Sequence, residues 1–250
     1  MLTVQRAAKA AGKHISRTLL GVRTMLGAPR KRNCPACGNS IVGFFRYGEC
    51  ADWGCPVCGA SPRERLVNHL LDTGQLVIGR TASILHMAPN EASLVARFAA
   101  ASAEYIPADL DPARYNVPGV VAVDLMHIGM TQTLDLFYAS HVMEHVPDDA
   151  LVLRNIWTAL RPGGEAWLIV PLWDKPTVDG DSGMSGAERE QRFGQWDHVR
   201  QYGPDFADRI RAAGFELDIL SADDLPADDR AAMGLGEILY RARKPDIAAQ

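Results

Sequence analysis

The sequence lacks the features that mark membrane-spanning and secreted proteins. In its 250 residues no apolar run approaches the roughly 18 residues that a transmembrane helix needs. No signal peptide with a cleavage site is visible, so we expect a cytoplasmic protein. In that compartment its five cysteines are expected to be metal ligands or free thiols rather than disulfides. There is no internal repeat, and the length suits one catalytic domain with a small additional module.

Acidic residues are absent from the first 33 positions, which carry eight cations. The remaining residues carry 18 cations and 30 acids, a net charge of −12, which argues against a large nucleic-acid groove. Residues 1–33 are interpreted as a basic leader: an amphipathic helix contacting an anionic membrane surface or a protein partner, a solvated and partly disordered segment, or a transit peptide. The apolar residues at helical spacing are Val4, Ala8, Ala11, Ile15, Leu19, Val22 and Leu26.

Four cysteines form two closely spaced pairs. Cys34 and Cys37 are followed, after 17 intervening residues, by Cys55 and Cys58. This spacing fits the zinc-ligand pattern C-x2-C-x15–20-C-x2-C, whereas the alternatives are two unrelated reduced pairs or redox-active thiols. Four thiolates leave no open coordination position, so the zinc is expected to be structural. Residues 34–75 are predicted to form a zinc-ribbon-like module and a linking helix, with Cys50 as a free thiol.

From about residue 82 short apolar runs alternate with helical stretches, which predicts a parallel sheet covered on both faces. Residues 76–250 are therefore predicted to be one α/β domain. The predicted strands are 82–87, 104–109, 119–123, 134–139, 166–170, 215–220 and 237–243. The predicted helices are 92–101, 148–159 and 204–213.

Acidic residues stand where the second and third predicted strands end. Asp109 lies 23 residues after His86, which ends the first apolar run, and this position suits a ribose ligand. Asp124, followed by Leu125, ends the third run, where adenine recognition is expected. Such groups meet in the strand-end crevice of a doubly wound sheet, so this edge is predicted to hold an adenosine-containing ligand.

Two later blocks carry a family resemblance. They read LDLFYASHVMEHVPDD at 134–149 and LRPGGEAWLIVP at 160–171. Their order and spacing resemble the fourth strand, the following helix and the turn into the fifth strand of class I methyltransferases of the type 11 kind. The stretch RFGQWDHVRQYG at 192–203 resembles a bacterial subgroup with a four-cysteine zinc module. The resemblance implies a Rossmann-like, doubly wound, mostly parallel seven-stranded sheet with an antiparallel last strand, and S-adenosylmethionine as cosubstrate.

The resemblance also implies where the methyl donor binds. His141 would border its methionine arm, and Glu144 and His145 would line or support the pocket. The family usually has an acid and a Gly-x-Gly-x-Gly turn after the first strand, where this sequence has His86, Ala88, Asn90 and Ala92. Small residues still permit a close approach of the donor. The predicted donor-binding residues are His86, Ala88, Pro89, Asn90, Asp109, Asp124, Leu125 and His141.

The same block contains His141-Val-Met-Glu144-His145, which matches the H-x-x-E-H pattern of one group of zinc proteases. On a helix the two histidines would share a face and Glu144 would act as a base. The sequence offers no evident third ligand, and the motif falls inside the block matched to methyltransferases. We therefore expect no protease site here.

A long insertion, 172–203, separates the fifth strand from the next helix and is predicted to be a lid or substrate segment. It contains Asp197, His198, Arg200 and Tyr202. We predict that His198 is the catalytic base, that Asp197 orients it, and that Arg200 holds an anionic substrate group. The alternative is that this cluster only fixes the insertion to the body of the domain.

Three functions remain open from the sequence. The first is S-adenosylmethionine-dependent methylation of a small-molecule or glycan acceptor. The second is methylation of RNA or protein, with the zinc module and the basic leader as docking elements. The third is a non-catalytic adaptor stapled by zinc. The acidic body favours the first over an RNA enzyme.

Overall fold

The computed structural model describes residues 2–48 and 50–246, with side chains from Ala11 onward. Its helices are α1 (Leu2–Met25), α2 (Pro62–Asp72), α3 (Ala92–Ala101), α4 (Asp149–Ala159), α5 (Gly186–Phe193), α6 (Phe206–Ala212) and α7 (Ala227–Met233). Its strands are β1 (Arg32–Asn33), β2 (Ser40–Ile41), β3 (Phe45–Tyr47), β4 (Cys50–Gly54), β5 (Ser83–Met87), β6 (Glu104–Asp109), β7 (Val121–Ala122), β8 (Leu134–Ser140), β9 (Leu160–Ile169), β10 (Val178–Asp179), β11 (Arg200–Gln201), β12 (Glu216–Ser221) and β13 (Ile238–Arg243).

The described residues form two compact units. The first unit draws on Met1–Val77, Glu91–Arg97 and Ser221–Glu237, and the second on Ile78–Asn90, Phe98–Leu220 and Ile238–Gln250. The basic leader and the cysteine pairs thus belong to one unit. Residues 221–237, which include α7, also belong to it, although the sequence places them within the catalytic domain.

In the first unit the basic leader is a helix that packs through its cations. Lys13 Nζ lies 4.4 Å from the ring centroid of Trp53, and the Arg17 guanidinium donates to the main-chain oxygen of Pro56 at 3.3 Å. The predicted apolar face is turned to solvent instead, with Ile15 61% and Leu19 60% exposed. The side chains of Val4 and Ala8, which also belong to that face, lie outside the described residues. No helix in the described parts of the chain is long and apolar enough to span a membrane.

A buried arginine on α2 ties three segments of the first unit together. Arg65 is fully buried and donates to the main-chain oxygens of Asp52 at 2.7 Å and Met233 at 3.0 Å, and also to that of Ala60. Burying a guanidinium is tolerated because carbonyl oxygens accept its N–H groups. These long-range bonds explain why residues 221–237 belong to this unit, a connection that local sequence patterns do not reveal.

The second unit is built on one seven-stranded sheet, in the order β12-β13-β9-β8-β5-β6-β7. Pairs β9–β8, β8–β5, β5–β6 and β6–β7 are parallel, and β13 runs antiparallel to β9. The predicted Rossmann-like, mostly parallel, seven-stranded fold with an antiparallel last strand is therefore confirmed. β9 begins at Leu160 rather than near residue 166, because Leu134 pairs with Leu160 ahead of the glycine turn.

Side chains alternate between the two faces of the sheet along the central strands, and the two faces carry different kinds of residue. His86, Tyr138 and Trp167 are register partners on β5, β8 and β9, and form an aromatic row against Phe98. The opposite face is an aliphatic core that includes Leu85, Phe137, Ala166, Ile156 and Ile210. All five residues of β5 are buried, as expected for a strand covered on both faces. The loops that leave the carboxyl ends of these strands therefore meet at one edge.

Candidate functional site

The carboxyl ends of β5, β6 and β8 open into a cavity of about 370 Å³. Parallel strands bring these ends to one edge, which is where open α/β sheets bind ligands. Six of the eight residues predicted to bind the donor line this cavity, and His86 and Pro89 are not in its lining. The six are Ala88, Asn90, Asp109, Asp124, Leu125 and His141.

The structure places His86 in the aromatic row of the sheet, outside the lining of this cavity. Its side chain is fully buried, and its Nδ1 lies 2.9 Å from the hydroxyl of Tyr105. Burial lowers the pKa of His86 to about 3, so the imidazole is neutral at physiological pH. His86 thus packs within the sheet, whereas Met87, Ala88 and Asn90, which follow it, line the cavity.

Two non-glycine residues at the cavity adopt left-handed backbone conformations. Ala88 follows β5 with φ 50°, and His141 follows β8 with φ 55°. Such conformations cost about 1–3 kcal/mol and concentrate at functional sites. At Ala88 the chain turns sharply, its N–H bonding to the main-chain oxygen of Ala108 at 2.8 Å. Ala88 therefore makes a turn that glycine would make without strain.

Asp109 is positioned for ligand binding by its neighbours. One carboxylate oxygen accepts from the Asp111 N–H at 2.8 Å and the other accepts from the Tyr115 hydroxyl at 2.6 Å. Burial and the bond to Asp109 raise the pKa of Tyr115. Tyr115 also lines the cavity, as do Arg114 and Gln195, and none of the three is among the predicted site residues. Asp109 keeps lone pairs for a further donor such as a ribose hydroxyl.

Asp124 closes the far side of the cavity. Its Oδ1 accepts from the Met126 N–H at 2.8 Å, which caps the turn Leu125–His127. Half of its side chain is exposed, and its second oxygen lies 3.7 Å from His127 Nδ1. The two aspartates thus end neighbouring segments and face the same space.

A second cavity, of about 600 Å³, adjoins the first. Three residues, His145, Pro147 and Asp197, line both cavities. The insertion 172–203 supplies much of its wall, and its role as a lid or substrate segment stays a prediction. The wall contains five aspartates (Asp148, Asp149, Asp179, Asp181 and Asp197) and three arginines (Arg189, Arg200 and Arg209).

At the junction of the two cavities, Asp197 contacts His145 rather than His198. His145 Nδ1 lies 3.3 Å from the main-chain oxygen and 3.6 Å from a carboxylate oxygen of Asp197. His198 instead donates through Nδ1 to the main-chain oxygen of Phe193 at 3.1 Å, and its ring meets that of His145 edge-on. Burial lowers the pKa of His198 despite the nearby Glu144 carboxylate. His198 lines neither cavity in the described structure.

Arg200 lies inside a polar network that fixes the insertion to the body of the unit. Its side chain is 4% exposed and donates to the main-chain oxygens of Met143 at 3.0 Å and Val146 at 2.6 Å. It also pairs with Asp179 at 2.9 Å. Tyr202 reaches the same turn and donates to Asp149 at 3.0 Å. The guanidinium is therefore occupied by protein groups, and it holds the turn that carries Glu144 and His145.

The segment 141–145 does not form the helix that a zinc-protease motif requires. His141 ends β8 in a left-handed conformation, and Met143–His145 is a short 3-10 turn. The two histidines therefore do not share a helix face.

The four paired cysteines converge in the first unit. Their sulfur atoms all lie within 4.8 Å of one another, with Cys34 to Cys58 at 3.7 Å and Cys37 to Cys55 at 3.9 Å. Tetrahedral zinc with Zn–S bonds of about 2.3 Å requires sulfur separations of about 3.8 Å. The donor set and its spacing thus fit one zinc ion. Cys50 lies outside the cluster and is exposed.

Comparison with known proteins agrees with this geometry. Residues 83–168 match the family model described as a methyltransferase domain. The matched segment contains the strand-end turn, Asp109, Asp124 and the whole of β8. No curated protein gives a significant sequence match. The sheet order and this segment together define a class I methyltransferase fold.

Solved structures share that fold at low sequence identity. One is a chain in the complex between the Haloferax volcanii Trm112 methyltransferase activator and a methyltransferase, with a TM-score of 0.51, 14% identity, and coverage of 72% of this chain and 89% of that chain. The YcgJ protein of Bacillus subtilis matches with a TM-score of 0.51, 13% identity, and coverage of 74% of this chain and 100% of that chain.

Proposed function

We propose that this protein transfers a methyl group from S-adenosylmethionine to a small, polar acceptor. The observation that carries the proposal is the pair of adjoining cavities. The first contains Asp109 and Asp124, which are placed to bind a nucleoside, and the second has a polar wall. The donor would supply an electrophilic methyl group on sulfonium. Asp109 would hold the ribose hydroxyls, and Asp124 and Leu125 would contact the adenine. The methionine arm would be held by His141 and by the main chain at Ala88, Pro89 and Asn90.

The acceptor class follows from the charge of the second cavity. Its five aspartates outnumber its three arginines, and Arg200 and Arg209 already pair with Asp149 and Asp179. An acidic wall disfavours phosphates and nucleic acid and favours hydroxyl and ammonium groups. A polyhydroxylated sugar, alone or within a glycan, or an amine therefore fits better than an anionic acceptor.

Within this proposal His145 is the group placed to accept the proton of a hydroxyl or amine acceptor. It lines both cavities, and its Nδ1 faces the main-chain oxygen of Asp197, which leaves a lone pair on Nε2. His198, which the sequence suggests as the base, would position the ring of His145 by edge-on packing. Arg200 would position the turn rather than bind substrate. Most of the rate would come from alignment of acceptor and donor.

The cysteine cluster is proposed to hold one structural zinc ion. Four thiolates close the coordination shell, so the ion would stabilise the first unit without taking part in transfer. The Haloferax methyltransferase assembles with an activator protein, and docking to an RNA or protein substrate through the zinc module remains the alternative role. The acidic second cavity supports the small-acceptor proposal over that alternative.

The first test is calorimetry with S-adenosylmethionine and its demethylated product. Asp109→Asn is expected to weaken binding about 10- to 100-fold, since a hydrogen bond to a charged group contributes about 1.5–3 kcal/mol. Asp111→Asn is the matched control, because the Asp111 side chain is exposed and close to Asp109 along the chain. Absence of binding heat for the unmodified protein would leave the non-catalytic adaptor as the function.

The second test is transfer to pools of sugars, amines and carboxylates. With an acceptor in hand, His145→Ala is expected to slow transfer about 10²–10⁴-fold, the usual contribution of a positioned base. Binding of the demethylated donor, measured on the same variant, shows whether the donor cavity is intact. Turnover restricted to carboxylates, or to RNA, would contradict the acceptor class.

A further inference from the structure

Three side chains in the second unit converge beside the two cavities. Glu144, His145 and His198 each offer one ligand atom, and these atoms lie within 4.8 Å of one another. Glu144 and His145 come from the turn Met143–His145 after β8, and His198 comes from the insertion. The Val199 N–H bonds to the Glu144 main-chain oxygen at 2.9 Å and holds the two segments together.

The two imidazoles are oriented alike by the main chain. His145 Nδ1 faces the carbonyl oxygen of Asp197 at 3.3 Å, and His198 Nδ1 faces that of Phe193 at 3.1 Å. A carbonyl oxygen only accepts hydrogen bonds, so both Nδ1 atoms carry the proton and both Nε2 atoms carry a lone pair. Metal-binding histidines are typically oriented by such second hydrogen bonds.

Glu144 is a buried carboxylate that a neighbouring positive charge would stabilise. It is 0% exposed, and neither of its side-chain oxygens has a hydrogen-bond partner among the described residues. Its ion-pair contact is with His141 Nδ1 at 3.6 Å, which is cationic only when protonated. An ionised carboxylate without hydrogen bonds is costly to bury, and a cation beside it would offset that cost.

We propose that Glu144, His145 and His198 bind a divalent first-row transition-metal ion. Two imidazoles and one carboxylate are a known ligand set for such ions and leave coordination positions open. Ligand atoms on one ion at about 2.1 Å lie about 3.4 Å apart, so separations within 4.8 Å must close by at most about 1.4 Å. Rotation of the side chains about their terminal torsions covers this distance.

The location gives the ion a role that rests on the proposed function. His145 lines both cavities, so an open coordination position would face the acceptor. An acceptor hydroxyl bound there would be more acidic, because a bound divalent ion lowers the pKa of a coordinated oxygen. With the ion bound, the Nε2 of His145 would hold the metal instead of accepting the proton, and the base would be the carboxylate of Asp197, which lies 3.6 Å from His145 Nδ1 and is 30% exposed.

The experiment uses Co²⁺ as the probe on the full-length protein with zinc retained in the cysteine cluster. One equivalent is expected to bind with the weak visible bands of nitrogen and oxygen ligation. Thiolate charge-transfer absorption would instead report exchange into the cysteine cluster. His198→Ala and Glu144→Gln are expected to weaken Co²⁺ binding about 100-fold or more. Substitution of residues that only hydrogen-bond to a metal ligand already weakens metal binding about 10- to 100-fold. His14→Ala, an exposed histidine of α1, is the matched control.

Donor calorimetry on the same samples separates the two proposals. Variants that lose Co²⁺ but still bind the demethylated donor are folded and support the metal site. Co²⁺ binding without donor binding would leave the metal site standing and overturn the methyltransferase proposal. Failure of the unmodified protein to bind Co²⁺ outside the cysteine cluster, or unchanged binding in His198→Ala, would overturn the metal site.

Discussion

His86 and Tyr138 are register partners on adjacent parallel strands, and their rings meet edge-on with centroids 4.9 Å apart. The contact places an ionisable side chain in the middle of the sheet. The imidazole is stable there only in its neutral form, because burial opposes its protonation.

This arrangement makes the stability of the fold depend on pH. Unfolded histidine binds a proton with a pKa of about 6.5, whereas the pKa of folded His86 is about 3. Below pH 6.5 the unfolded state therefore binds more protons, and stability falls as the pH falls, by up to about 1.4 kcal/mol per pH unit. Urea denaturation between pH 6.5 and 4.5 measures the slope. His86→Phe is expected to reduce it and His14→Gln to leave it unchanged, and equal slopes in all three proteins would refute the assignment.

Ala88 is expected to tolerate glycine better than an ordinary strand residue does. Its φ of 50° is strained for alanine and free for glycine. Ala88→Gly should therefore change the free energy of unfolding by no more than about 1 kcal/mol, in the stabilising direction. Ala139→Gly, in buried β8, should instead destabilise by about 1 kcal/mol or more. A loss of stability in Ala88→Gly that matches the loss in Ala139→Gly would show that the turn is unstrained.

Arg200 is expected to matter for stability rather than for acceptor affinity. Its guanidinium is buried against Asp149 and Asp179, so Arg200→Ala leaves these carboxylates with Arg209 alone. Breaking a buried ion pair typically costs about 3–5 kcal/mol. Arg211→Ala, which removes an exposed pair with Asp208, should cost at most about 0.5 kcal/mol. A raised acceptor KM with unchanged unfolding in Arg200→Ala would instead show that this side chain binds substrate.

The cysteine cluster is expected to hold one zinc ion per chain. Cys37→Ser removes one thiolate, so zinc content and the thermal stability of the first unit should fall together. Cys50→Ser, at the exposed cysteine outside the cluster, should change neither. Metal analysis and thermal melting of the same preparations check both expectations. Full zinc content in Cys37→Ser would rule out this ligand set.

The sequence by itself determined the sheet and singled out six of the residues that line the first cavity. Alternating apolar runs follow from side-chain periodicity, and acids at strand ends meet because parallel strands share an edge. Asp109 and Asp124 were therefore predictable as neighbours, and the cysteine spacing predicted the four-sulfur cluster. These signals depend on residues that are close along the chain or on strands whose order the fold class fixes.

Tertiary structure alone decided which polar side chains in the insertion contact one another. Asp197 precedes His198 directly, yet its carboxylate faces His145, and the His198 imidazole donates to Phe193. Arg200 is buried by its pairing with Asp179 across β10 and β11, a contact of two short strands without a strong local pattern. Long-range hydrogen bonds from the Arg65 side chain to main-chain oxygens also bring residues 221–237 to the first unit. Such contacts depend on how segments pack, which residue spacing along the chain does not encode.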